Sequence, residues 1–234
     1  MSDVFLHYPA SVMAGQERLS AADIVLLRKH VFPRGLSCPE DAQQLLGLHR
    51  AAVGKCPGWD TWFVETMVDY IVAHAWPQHS LDPLNAAWMA AMFAPGGVIE
   101  TAAELELVLH AMERSVFVPD ALTVLALDQL CIAIEEGRGA YAVGRSAKRT
   151  GLCRSDIDYL YRIFRGVLRD GRLCLSVGEI AALTQIDRAV CDRINHPAWD
   201  DLLRSVSLRD EAGYVPSVPW LQMQPSDEVL KRAA

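Results

Sequence analysis

The chain has 234 residues, 51% of them apolar, which is enough to bury one sizeable core or two small ones and excludes an intrinsically disordered chain. A formal charge of −7 argues against nucleic acid as a partner, because phosphate binding draws on a surplus of Lys and Arg. Met1-Ser2-Asp3-Val4 is not a basic region leading into an apolar stretch, and the longest weakly polar run, 86–99, is too short for a bilayer and is broken by Pro95, Gly96 and Gly97. No membrane insertion and a cytoplasmic location are therefore expected.

Apolar residues recur at three- and four-residue steps almost everywhere, and period-two alternation is missing, so an all-α fold is expected and a sheet is not. After an N-terminal arm, 1–19, a first helix is predicted from about Ser20 to Phe32, stopped by Pro33-Arg34-Gly35. A second starts near Pro39, where Glu40 and Asp41 complement the helix dipole, and carries Leu45, Leu46 and Leu48. A third begins around Trp59 after Pro57-Gly58; its stripe of Trp59, Trp62, Phe63, Met67, Tyr70 and Ile71 reads as core.

The same order then returns twice. A weaker copy runs through Trp88, Met92 and Phe93, then Gly97-Val98-Ile99, then Leu105, Val108, Leu109 and Met112, then Pro119 to Ile134. Its last helix is apolar nearly all round, which predicts a place sandwiched between its neighbours. A clearer copy has Asp156-Ile157 with Leu160, then Gly171-Arg172-Leu173, Leu183 and Ile186, and Pro197-Ala198-Trp199-Asp200. The expectation is about nine helices in three repeated three-helix units packed into one bundle: repeats one and two over 20–136, a basic linker over 137–154, repeat three over 155–209, and a Pro-containing tail over 210–234. Trp59 and Trp199 then become equivalent core residues.

The phrase of helix, Gly, Ile or Leu, small polar residue and Glu-bearing helix resembles the tellurite-resistance TerB-like helical fold. The triple form is similar to uncharacterised bacterial proteins with tandem TerB-like units, over about residues 20–207. The resemblance implies a compact helical bundle and, in some relatives, an acidic divalent-metal site built on an Asp-Gly turn and following carboxylates. Here the first two turns read Phe32-Pro33-Arg34-Gly35 and Ala94-Pro95-Gly96-Gly97, without that aspartate, and only Asp170-Gly171 with Glu179 and Asp187 keeps a partial set. Neither metal nor cofactor is expected.

The residues themselves offer few alternatives. Cys38, Cys56, Cys131, Cys153, Cys174 and Cys191 form no C-x-x-C pair and read as buried, reduced thiols. His30, His49, His74 and His79 with Cys38 and Cys56 have the ligand types of a zinc set, although His49 falls on an apolar stripe where a hydrogen-bonded core histidine is expected. Cys38-Pro39 and Cys56-Pro57 are Cys-Pro pairs, too short to specify haem. G-x-S-x-G, Walker, G-x-G-x-x-G and H-E-x-x-H patterns are all missing, so no enzyme is expected.

Two segments carry candidate partner contacts. Arg145, Lys148 and Arg149, with Arg138 and Arg154, concentrate positive charge either for an acidic partner or as a solvated linker. In the tail, prolines at 216, 219 and 225 prevent a helix while Trp220, Leu221 and Met223 supply apolar contacts for a groove of this chain or another. The expected function is that of a noncatalytic helical scaffold binding another protein, with self-association open to it. A TerB-like divalent-metal stress-response protein is the alternative.

Overall fold

Four helices open on one local device, an acidic or amide side chain at the third helical position that turns back to accept the N–H of the cap residue. Asp23 does so for Ser20 at 2.7 Å, Asn85 for Asp82 at 3.1 Å, Asp156 for Cys153 at 2.8 Å and Glu179 for Ser176 at 2.8 Å. These caps begin α1 (Ala21–Leu26), α4 (Pro83–Phe93), α8 (Arg154–Ile163) and α9 (Val177–Val190) in a computed structural model that describes residues 18–145, 151–169 and 172–209. Between them lie α2 (Pro39–Ala51), α3 (Trp59–Asp69), α5 (Ala102–Arg114), α6 (Asp120–Glu135) and α7 (Ala140–Gly144), and α10 (Ala198–Ser205) follows. Ten α-helices among the described residues make the fold all-α, as expected.

Two helices end in a wider turn. Past α1 the chain continues through a π-turn, Leu27–Val31, in which Phe32 N–H donates to Leu27 C=O at 2.7 Å. Past α3 another spans Tyr70–His74, with Ala75 N–H donating to Tyr70 C=O at 2.8 Å. Each inserts one residue into the helical ladder and so turns the side chains beyond it to a new direction. Gly35, at φ 77°, then reverses the chain where a side chain would be strained.

Short strands, which the periodicity does not reveal, tie the helix ends together. β1 (Arg18–Leu19) pairs in parallel with β2 (Gly54–Lys55). β3 (Leu168–Arg169) runs antiparallel to β4 (Arg172–Leu175), which pairs in parallel with β5 (Val206–Leu208). Segments of two to four residues are too short to show alternation, so the expectation of no sheet fails here for want of signal. The supposed arm end at 18–19 is thereby part of the fold, and the supposed linker contains a tenth helix, α7.

The centre of the body is α6. Its Leu122, Ala126, Leu127 and Leu130 are fully buried, and it packs most extensively on α9 and also on α4, α7 and α8. This is the sandwiched position its all-round apolarity predicts. One buried polar side chain registers it: Gln129 accepts Ile99 N–H at 2.8 Å and donates to Gly97 C=O at 2.9 Å, fixing the turn between α4 and α5.

Trp59 and Trp199 are both buried, and each indole N–H is satisfied by the preceding long helix, Trp59 by His49 Nδ1 at 3.1 Å and Trp199 by Asp187 Oδ1 at 3.0 Å. His49 stacks on Phe63 with ring centroids 4.1 Å apart, and burial lowers its pKa to about 4, so it is a neutral core acceptor. Replacing either tryptophan by alanine removes a large buried ring and leaves an acceptor unpaired. The expected cost is about 3–5 kcal/mol for each, read from urea unfolding; a loss below about 1 kcal/mol at either site contradicts a core role.

Candidate partner-binding groove

Two helix faces with matched spacing frame a depression of about 410 Å³. From α5 come Ala102, Leu105, Glu106 and Leu109, and from α8 come Ser155, Asp158, Tyr159 and Arg162; both sets follow i, i+3, i+4, i+7, the spacing of one helix face. The short α7 closes one end with Ala140 and Tyr141. It is held there because Ala140 N–H donates to Ile99 C=O at 2.7 Å and because Gly139, at φ 84°, lies so close to Val98 and Ile99 that a Cβ would sit 3.0 Å from Val98 Cγ1.

The floor is apolar with two phenols. The rings of Tyr141 and Tyr159 lie 4.3 Å apart, tilted by 41°. Tyr159 O–H donates to Ala126 C=O of α6 at 2.8 Å, and Tyr141 O–H donates to Asp156 Oδ1 at 3.0 Å. Burial pushes both phenols well above the ordinary tyrosine range, so both stay protonated donors and neither serves as a base.

Besides the exposed Asp158, which lies 3.8 Å from Arg154, charge sits in two places. Below the floor, Arg145 makes a two-pronged contact with Asp156, Nε to Oδ1 and Nη2 to Oδ2 both at 3.0 Å, and Nη2 also donates to Gly151 C=O at 2.8 Å. Burial of Asp156 alone would raise its pKa, but the Arg145 guanidinium and the Cys153 N–H outweigh it and hold the carboxyl below the usual range. At the rim, Arg162 bridges Glu106 and Glu113 of α5, and its hydrogen bonds to Glu106 and then Glu113 raise its own pKa. The lining thus offers apolar surface, two phenols and a paired rim.

The sequence candidates fall differently. Arg145, read as a partner contact or solvated residue, is 8% exposed and spent on Asp156, which is fully buried. Lys148, Arg149, Asp170, Trp220, Leu221 and Met223 lie outside the described residues. Glu179 is buried and committed to Ser176 N–H and to Arg209 at 3.0 Å, with burial pushing its pKa up, and Asp187 is committed to Trp199. Among the described residues no three His, Cys, Asp or Glu side chains converge as metal ligands; in the zinc set, His30, His74 and His79 are exposed while His49 is in the core. All six cysteines are free thiols, but only Cys131 is buried, which pushes its pKa up to about 12. The groove itself was missed, although the i, i+3, i+4, i+7 sets on α5 and α8 were visible signals.

Breaking the buried pair tests its structural weight. Asp156→Asn or Arg145→Met leaves one buried charge without its partner, and each is expected to lower stability by about 3–5 kcal/mol. Because the Asp156 pKa is depressed by folding, the pair's contribution is complete above about pH 4, the unfolded carboxyl value, and fades as pH falls through the folded value. Chemical denaturation of Asp156→Asn as a function of pH should lose that acid-dependent component, and an unchanged acid profile contradicts the assignment.

No family model, no curated protein and no solved structure matches the chain.

Proposed function

We propose that the chain is a noncatalytic helical interaction protein that receives a segment of another protein in the groove between α5, α7 and α8. The observation that carries this reading is the groove's lining: Leu105, Leu109, Tyr141 and Tyr159 form an apolar and phenolic floor, while both arginines at its edges, Arg145 and Arg162, are already paired with carboxylates. A partner side chain entering there exchanges water for apolar contact without having to break a free charge from its hydration. Tyr is also a frequent anchor in such surfaces because a large rigid ring loses little entropy on binding. In the same proposal the tail residues Trp220, Leu221 and Met223 supply a second contact, since their apolar side chains follow prolines that bar a helix. The tandem TerB-like resemblance enters as the architecture of that scaffold, three helical units around α6.

Ala102 and Ser155 stand exposed on opposite rims, so Ala102→Arg and Ser155→Arg plug the groove without touching the core. Full-length chain and variants are compared by affinity purification from the native cell extract, followed by reconstitution with each purified candidate. The expected outcome is that the plugs abolish binding of at least one reconstituted partner at unchanged melting temperature. Binding that survives both plugs refutes the groove as the contact surface.

A further inference from the structure

The groove between α5, α7 and α8 has a chemistry that one segment of this chain matches. Tyr141 and Tyr159 lie with their rings 4.3 Å apart in its floor, and both O–H groups already donate inward, to Asp156 and to Ala126 C=O. What the pair offers a ligand is therefore ring surface. Proline-containing segments suit such floors, because their backbone is pre-set and carries fewer N–H groups to desolvate. The two lining arginines are paired with carboxylates, so the lining holds no cation waiting for an acidic segment.

The tail has the matching composition. Residues 212–226, outside the described residues, contain no Asp, Glu, Lys or Arg, and within them Pro216 and Pro219 lead into Trp220 and Leu221. A volume of about 410 Å³ lies at the lower end of ligand-pocket sizes, which suits a single anchor such as an indole rather than a whole helix. The tail also starts within reach. Arg209, the last described residue before it, is fixed by Asp120 at 2.7 Å and Glu179 at 3.0 Å. Asp120 opens α6, and the carbonyl that holds Tyr159 belongs to Ala126, about 9 Å further along the same helix. Trp220 follows Arg209 by eleven residues, which span up to about 36 Å, several times that rise and the roughly 10 Å breadth of a helix.

We propose that the chain's own tail occupies this groove while no partner is bound, with Trp220 seated on the Tyr141 and Tyr159 floor, so that a partner segment must displace it. This rests on the reading of the groove as a site for a segment of chain and adds the regulation of that site. A tethered segment acts at an effective concentration on the order of millimolar, so a contact of sub-millimolar intrinsic affinity keeps the groove shut. Displacement by a partner frees Trp220, Leu221 and Met223 to make the second contact.

The test is made on the full chain. With a benzophenone amino acid at position 221 and irradiation at low protein concentration, cross-links are expected on peptides of α5 and α8 in the band of monomer mass, and Ala102→Arg or Ser155→Arg is expected to remove them. Ala102 and Ser155 are exposed, so the plugged chains keep the parent circular dichroism spectrum and a lost cross-link is not a lost fold. By fluorescence polarisation, a fluorescein-labelled peptide of residues 212–226 is expected to bind the Trp220→Ala chain about tenfold or more tightly than the parent, whose groove is open in only a minor fraction of molecules. The proposal is overturned by cross-links that map away from the groove, by cross-links that join two chains, or by peptide binding that is missing from the Trp220→Ala chain or equal in the two proteins. Any of these leaves the partner reading standing where the plugs still abolish binding of a purified partner. The partner reading fails alone where a partner binds the plugged chains while the parent's tail cross-links to the groove.

Discussion

The structure depends on carboxylates taken out of water in the first turn of a helix. Glu104, Asp156 and Glu179 are all essentially buried at the third position of α5, α8 and α9. The helix dipole favours a negative charge there, as does the cap N–H for Asp156 and Glu179, but neither repays the several kcal/mol that desolvation costs. Each is therefore met by an arginine from a distant part of the chain: Arg50 of α2 on Glu104, Arg145 on Asp156, and Arg209 after β5 on Glu179. Arg50 also donates to Met92 C=O at the end of α4, and Arg209 reaches Asp120 at the start of α6. Every one of these contacts joins segments that the hydrophobic effect alone would leave free to slide, because apolar faces tolerate many registers and a buried ion pair tolerates few.

Around those fixed points the apolar material organises itself simply. A helix that is apolar all round cannot lie on a surface, so α6 takes the centre and the helices on both sides pack against it. Two polar groups on it are used for registration: Gln129 holds the α4–α5 turn, and the backbone carbonyl of Ala126 receives Tyr159 from α8. The groove between α5, α7 and α8 thus has a floor attached directly to the central helix.

Much of this was legible because it is carried by local pattern. Proline and glycine at Pro33 to Gly35, at Pro57-Gly58 and at Pro119 mark helix ends by backbone sterics alone, and the Trp59 and Trp199 stripes mark core by spacing. What escaped depends on pairs remote in sequence. Arg145 reads as one more charge in a basic stretch until Asp156, on the next helix, is seen to bury it. Strands of two residues such as Arg18–Leu19 have no period to detect, and the π-turns leave no compositional trace. The groove is not contiguous in sequence either: Leu105 and Tyr159 come to line it only after α5 and α8 pack.

The two sides of the groove differ in what holds them, and this sets how the groove responds to its surroundings. Its floor rests on the Arg145–Asp156 pair, shielded from solvent, and on the Tyr159 hydrogen bond to α6, so ionic strength reaches it weakly. Its rim is the bridge from Arg162 to Glu106 and Glu113, whose side chains are 30%, 47% and 21% exposed. Partly exposed charges of this kind contribute little each and are screened by salt, but here one guanidinium engages two carboxylates seven residues apart on α5, so the bridge spans two helical turns. The wall between α5 and α8 is therefore the compliant element and the floor the rigid one. The phenols belong to the rigid part, because Tyr159 is anchored on the Ala126 carbonyl of α6 and Tyr141 on the buried Asp156 carboxylate.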